Sequence, residues 1–144
     1  MQEVDRATRN ELQRWVREPE EMAFATIGDT IYAYRRQQYK AVQALSENLT
    51  AIYAGVAMGQ IFKGKLKPDW ALSQYVGLRR EAVSQVEVPK EVALEYLRKH
   101  DIPATDMTEG LNLVVCDGFA LGFVKRVGAR SNNMYPSSLK IVNM

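Results

Sequence analysis

The 144-residue chain holds one cysteine and one histidine. A lone Cys116 excludes an internal disulfide and any site built from several cysteines. With only His100 beside it, a structural zinc has too few of its usual ligands, and no metal is expected. No apolar segment approaches bilayer-spanning length, and the opening MQEVDRATRNELQRW has no apolar core of the kind that leads a secreted chain. The chain is therefore expected in the cytoplasm. The glycines of GVAMGQIFKGKL do not form a phosphate loop, because the spacing is wrong and no Ser or Thr follows the lysine. The most informative absence is that of acid. From Gly118 to Met144 the charges are Lys125, Arg126, Arg130 and Lys140, without one Asp or Glu. From Gln60 to Arg80, Lys63, Lys65, Lys67, Arg79 and Arg80 face the single acid Asp69.

What is present is ordinary in bulk: 47% hydrophobic and 25% charged residues, enough apolar material for a real core. The net charge of +2 argues for no particular partner, yet it conceals two basic segments, and the local field is what attracts phosphates. The length fits one domain, or one domain with a small appendage. Residues 1–19 read as an N-terminal helix and linker, and residues 20–144 as the domain, divisible into 20–80 and 89–144.

Within 3–17, Val4, Leu12, Trp15 and Val16 fall near helical spacing, and Pro19 ends the helix. FATIGDTIYAYR predicts a hairpin turning at Gly28–Asp29. Tyr39, Val42, Leu45 and Leu49 predict a helix near 38–48. The glycines of TAIYAGVAMGQIFKGKL suit a strand, a bend and a second strand within 50–62 and beyond. Pro68 and Asp69 suit the first turn of a helix near 68–76. PKEVALEYLRKH predicts a helix over 89–99, with Lys99 and His100 favouring its C-terminal dipole. LNLVVCDG and FALGFVKRV read as strands around an Asp117–Gly118 turn, within 111–127, and SLKIVN as a last strand over 139–143. VGARSNNMYP between them reads as a loop. The fold class is α+β, with a small β-barrel or curved sheet and flanking helices.

Catalytic chemistry has few candidates. Cys116 sits in the apolar run LVVCDG, where a buried, inert thiol is the expected state, and no second cysteine assists it. A catalytic role for His100 needs an adjacent nucleophile or carboxylate pair, which the sequence spacing does not reveal. Strand alternation in FALGFVKRV places Phe119, Leu121, Phe123 and Lys125 on one side. Beyond it, Lys125, Arg126 and Arg130 offer charge for phosphates, Asn132 and Asn133 can address base edges or riboses, and Tyr135 offers a flat ring. The same residues equally describe a solvated loop, with turn-forming asparagines and Tyr135–Pro136 pinning it to the core.

GFVKRVGARSNNMYPSSLKI resembles the C-terminal signature of RsmF-type enzymes, the Nol/Nop/Sun class of ribosomal RNA cytosine-5 methyltransferases. That signature is carried here by Gly118, Leu121, Gly122, Lys125, Gly128, Asn132, Asn133, Tyr135 and Pro136. GVAMGQIFKGKLKPDWALS, the helix containing ALEYLRKHDI, and MAFATIGDTIYAY fall in the family's order, so the resemblance spans about residues 20–142. It implies a PUA-like RNA-binding domain over 20–144. Ser137–Ser138 depart from the family's bulky basic ending. The family's catalytic half, a Rossmann-like fold for S-adenosylmethionine with Pro-Cys and Thr-Cys motifs, has no counterpart, since Cys116 follows Val115 and no glycine-rich cofactor loop occurs.

Together these readings imply a monomeric, non-catalytic RNA-binding module without a cofactor. Its expected target is small-subunit ribosomal RNA, in rRNA processing. Lys63, Lys65, Lys67, Lys125, Arg126, Arg130, Asn132, Asn133 and Tyr135 form the expected RNA-binding set. The alternative is a protein-interaction module, in which the helix within 3–17 and an apolar face dock a separate methyltransferase catalytic domain. An enzyme centred on Cys116 or His100 is the least supported reading.

Overall fold

A computed structural model of the chain describes residues 2–37 and 55–142. The helix expected at 38–48 and the first residues of the strand expected at 50–62 lie outside the described residues. The chain forms two compact units, Met1–Arg79 and Arg80–Met144. Each unit is α+β, and each carries its own sheet, open in strand order among the described residues rather than closed into a barrel.

The first unit contains strand β1 (Gln2–Glu3), helix α1 (Arg6–Gln13), strands β2 (Met22–Ile27), β3 (Thr30–Arg35), β4 (Val56–Phe62) and β5 (Lys65–Pro68), and helix α2 (Trp70–Ser73). The strands make an antiparallel sheet in the order β1-β2-β3-β4-β5. Two tight turns set its register. Gly28 takes φ 62° between the paired residues Ile27 and Thr30, as the first central position of a type II′ turn requires. Lys63 and Gly64, at φ 52° and 78°, give the type I′ turn between Phe62 and Lys65. In β4, Gly59 has φ 131°, and an added Cβ would meet the Lys67 carbonyl oxygen at 2.1 Å, so only glycine lets β5 approach. Pro68 closes β5 instead of opening a helix. α2 is a single turn from Trp70, N-capped by the Asp69 carboxylate, which accepts from the Ala71 N–H at 2.9 Å.

Helix α1 starts at Asp5, whose side chain accepts from the Thr8 N–H at 2.8 Å. Leu12, Trp15 and Val16 are buried, and Val16 bridges Leu78 of the same unit. Glu11 is the fastener between α1 and β5. Its carboxylate accepts from Arg14 (2.8 Å), from the Leu66 N–H (2.9 Å) and from Trp15 Nε1 (3.3 Å). Burial opposes ionisation of Glu11, but these hydrogen bonds outweigh it and hold the carboxyl below its ordinary range. The apolar side of this helical segment is thus spent within its own unit, which removes it as the docking surface of the protein-interaction alternative.

The second unit has strands β6 (Ser84–Glu87), β7 (Gly110–Cys116), β8 (Phe119–Val127) and β9 (Arg130–Asn133), in that spatial order, and helix α3 (Lys90–Leu97). β7, β8 and β9 are antiparallel neighbours, whereas β6 runs parallel to β7 through the α3 crossover. β6 was not expected, although Gln85 and Glu87 point out while Val86 and Val88 point in, a period-two signal. The Asp117–Gly118 turn is type I′, with φ 51° and 83°. The last strand is not SLKIVN. A two-residue turn with Gly128 at φ 64° sends Arg130–Asn133 straight back along β8. Pro136, which has no N–H to give a ladder, then starts a single 3-10 turn over Ser137–Leu139.

One face of this sheet packs on α3. Val86, Val114 and Val124 join Ala93 and Tyr96 of the helix, and Ile102, Ala104 and Met107 of the following loop. Tyr96 is fully buried and its hydroxyl donates to the Phe123 carbonyl at 2.8 Å. Burial drives its phenol far above the ordinary tyrosine value, with Tyr135 adding to the effect. Asn112, also fully buried, bonds both faces of its amide to the loop: Oδ1 accepts from the Thr108 N–H, and Nδ2 donates to the Thr108 and Gly110 carbonyls. Cys116, expected to be buried, is half-buried at the end of β7. Partial burial, with Asp117 and Glu87 nearby, still raises its pKa and disfavours the thiolate.

Candidate nucleic-acid interface

The β8–β9 ladder sorts the expected binding residues by face. Lys125 lies opposite Asn132, and Val127 opposite Arg130, so these four side chains share one side. All four are exposed. Among the described residues, Lys125 and Arg130 enter no ion pair. Arg126, opposite Ser131, points to the other side with Asn133.

That other side is clamped. Asn133 is buried, and both its amide hydrogens and its carbonyl oxygen are engaged: Nδ2 donates to the Tyr96 carbonyl (2.8 Å) and the His100 carbonyl (2.9 Å), while Oδ1 accepts from the Tyr135 N–H (2.9 Å). The helix it caps ends in a Schellman motif. The Lys99 N–H reaches the Tyr96 carbonyl and the His100 N–H reaches the Glu95 carbonyl, with Lys99 at φ 68° where glycine is usual. The Lys99 ammonium donates to the Tyr135 carbonyl. The His100 ring is bonded to Glu95 and holds that exposed carboxyl below its ordinary range. Ser131 Oγ donates to the Ile102 carbonyl. Every second residue of β9 is therefore tied to the helix end or the loop behind it. The intervening Arg130 and Asn132 are held outward on a fixed strand.

Three expectations change with this geometry. Asn133 is not a surface amide that can meet a base, because it is buried and its hydrogen bonds are committed. Tyr135 is half-buried with its ring tilted against Tyr96, at a centroid distance of 5.5 Å, so it is no free stacking ring. Arg126 spends Nε on the Gly128 carbonyl (2.8 Å) and Nη1 on the Met107 carbonyl, which fixes the loop rather than reaching outward. The structure also adds an acid that sequence distance concealed: Glu109 accepts the Gly128 N–H through both oxygens, at 3.0 and 3.1 Å. The turn's field is thereby less positive than the acid-free segment implies. Lys125, Arg130 and Asn132 remain the assembled group.

Lys63, Lys65 and Lys67 belong to the other unit. Lys65 and Lys67 are exposed on β5, alternating with buried Leu66 and Pro68, and Lys63 occupies the hairpin turn. Among the described residues no group of His, Cys, Asp and Glu could hold a metal, and no helix is long and apolar enough to cross a membrane.

Residues 83–141 match the family model described as the methyltransferase RsmF PUA domain. The match covers β6 through the 3-10 turn, nearly all of the second unit, which therefore carries a PUA-like region of the RsmF type. Residues 20–82, included in the resemblance drawn from sequence, lie outside it. No curated protein matches the chain.

Proposed function

We propose that the chain is a non-catalytic RNA-binding module serving an RNA cytosine-5 methyltransferase, with structured ribosomal RNA as its target. The observation that carries this reading is the outward row of Lys125, Arg130 and Asn132 on a strand pair whose back is locked to α3. Held cations meet phosphates without the ordering cost of a mobile loop, and an exposed amide beside them can donate to and accept from a base edge. The match of the second unit to a PUA domain supports the same conclusion. The protein is proposed to act as a monomer in the cytoplasm and to need no cofactor of its own.

Filter binding to fragments of small-subunit ribosomal RNA tests the proposal. Counterion release for two lost phosphate contacts on single strands amounts to roughly a tenfold loss of affinity near physiological salt. The Lys125→Ala/Arg130→Ala variant should show that loss on every fragment alike. Asn132→Ala should instead change the ranking of fragments. Unaltered binding by the double variant would refute the assignment of this face.

A further inference from the structure

The β4–β5 hairpin of the first unit carries a second arrangement suited to RNA, in a region that the PUA match does not reach. Phe62 pairs with Lys65, and Gln60 pairs with Lys67, so the four side chains share one face of the hairpin. All are exposed, and Phe62 retains 67% of its accessible surface. An exposed phenylalanine by itself carries no message. Its surroundings here are one-signed. The Lys63 ammonium lies 5.4 Å from the Phe62 ring centroid, Lys65 stands directly across the ladder, and Lys67 follows one pleat along. The nearest acid along the strand, Asp69, has turned its carboxylate to the Ala71 N–H, and Glu11 is engaged by Arg14, Trp15 and the Leu66 amide.

The hairpin turn sets where the first of these lysines sits. Lys63 takes φ 52°, a left-handed conformation that asparagine or glycine would adopt at less cost in a type I′ turn. A lysine held there places its ammonium over one face of the ring.

We propose that this face is a base-stacking platform for single-stranded RNA. One nucleobase lies on the Phe62 ring, the Lys63 ammonium leaves the ring for a flanking phosphate, and Lys65 and Lys67 take the phosphates beside it. Lys65 and Lys67 lie two positions apart on the strand, roughly 7 Å, a step that suits successive phosphates of an extended strand. Every base has a π face, so the platform is tolerant of sequence. The inference rests on the RNA-binding reading of the chain, but it concerns different residues in a different unit.

The test uses the whole chain, a short oligouridylate, and an abasic phosphoribose strand of the same length. Phe62→Ala should weaken oligouridylate binding by roughly five- to tenfold, the lower end for loss of one stacked base, and leave abasic binding unchanged. Phe62→Trp should retain or improve oligouridylate binding, which separates stacking from any effect on folding. Equal effects of Phe62→Ala on both strands, or no effect on either, would overturn the platform while leaving the Lys125 face untouched. Failure of Phe62→Trp to restore binding would overturn it as well. If the parent chain binds neither strand, nor ribosomal RNA fragments, the RNA-binding reading itself fails.

Discussion

Replacing Asn133 with alanine separates a structural amide from a base-reading one. Its side chain makes three hydrogen bonds, to the Tyr96 and His100 carbonyls and from the Tyr135 N–H. At about 1 kcal/mol net for each bond, Asn133→Ala should destabilise the second unit by about 3 kcal/mol. Urea unfolding followed by circular dichroism reads this directly. With a denaturant slope of about 2 kcal/mol/M, the midpoint of that unit should fall by about 1.5 M. Asn133→Asp should be no better, because a carboxylate keeps the acceptor for Tyr135 but turns negative charge on two carbonyl oxygens. Both variants, assayed well below their unfolding midpoints, should rank RNA fragments as the parent does. An Asn133→Ala protein as stable as the parent but altered in RNA preference would refute the clamped-strand argument.

Two other predictions concern stability. Glu11 is held below the ordinary glutamate value of 4.5, so the unfolded chain binds more protons than the folded one as pH falls toward and through its folded-state pKa. Stability should therefore decline with acid below about pH 4.5, and Glu11→Gln should flatten that decline in thermal melts; an unchanged acid limb would contradict the assigned hydrogen bonds. Tyr96→Phe removes a buried donor from the Phe123 carbonyl, which keeps the Met134 N–H at 3.2 Å, so a loss of only about 1 kcal/mol is expected in urea titration.

Much of the local structure could be read from residue order. The Gly28–Asp29 and Asp117–Gly118 pairs announced their hairpins because only certain residues tolerate positive φ there, and the stripe of Val92, Ala93 and Tyr96 announced α3. The site was harder for a specific reason. Asn132 and Asn133 are chemically identical neighbours, and strand alternation sends one to solvent and the other into the helix end. Which is which depends on register, and register depends on the two-residue turn at Gly128. Reading VGARSNNMYP as a loop and SLKIVN as the strand lost that parity. Glu109 was missed because β7 and β8 must pair before it reaches the Gly128 turn. The Phe62 face was missed for a related reason: its lysines become neighbours of the ring only through the Lys63–Gly64 turn.

The central claim is that outward cations on the locked β8–β9 pair contact RNA phosphates, and the salt dependence of affinity tests it most directly. If about four phosphates are neutralised in all, log affinity against log salt should fall with a slope on the order of −3 on single-stranded targets. The Lys125→Ala/Arg130→Ala variant should lose two of those contacts and flatten the slope by about 1.4. Parallel lines for parent and variant, at equal affinity across the whole salt series, would contradict the account.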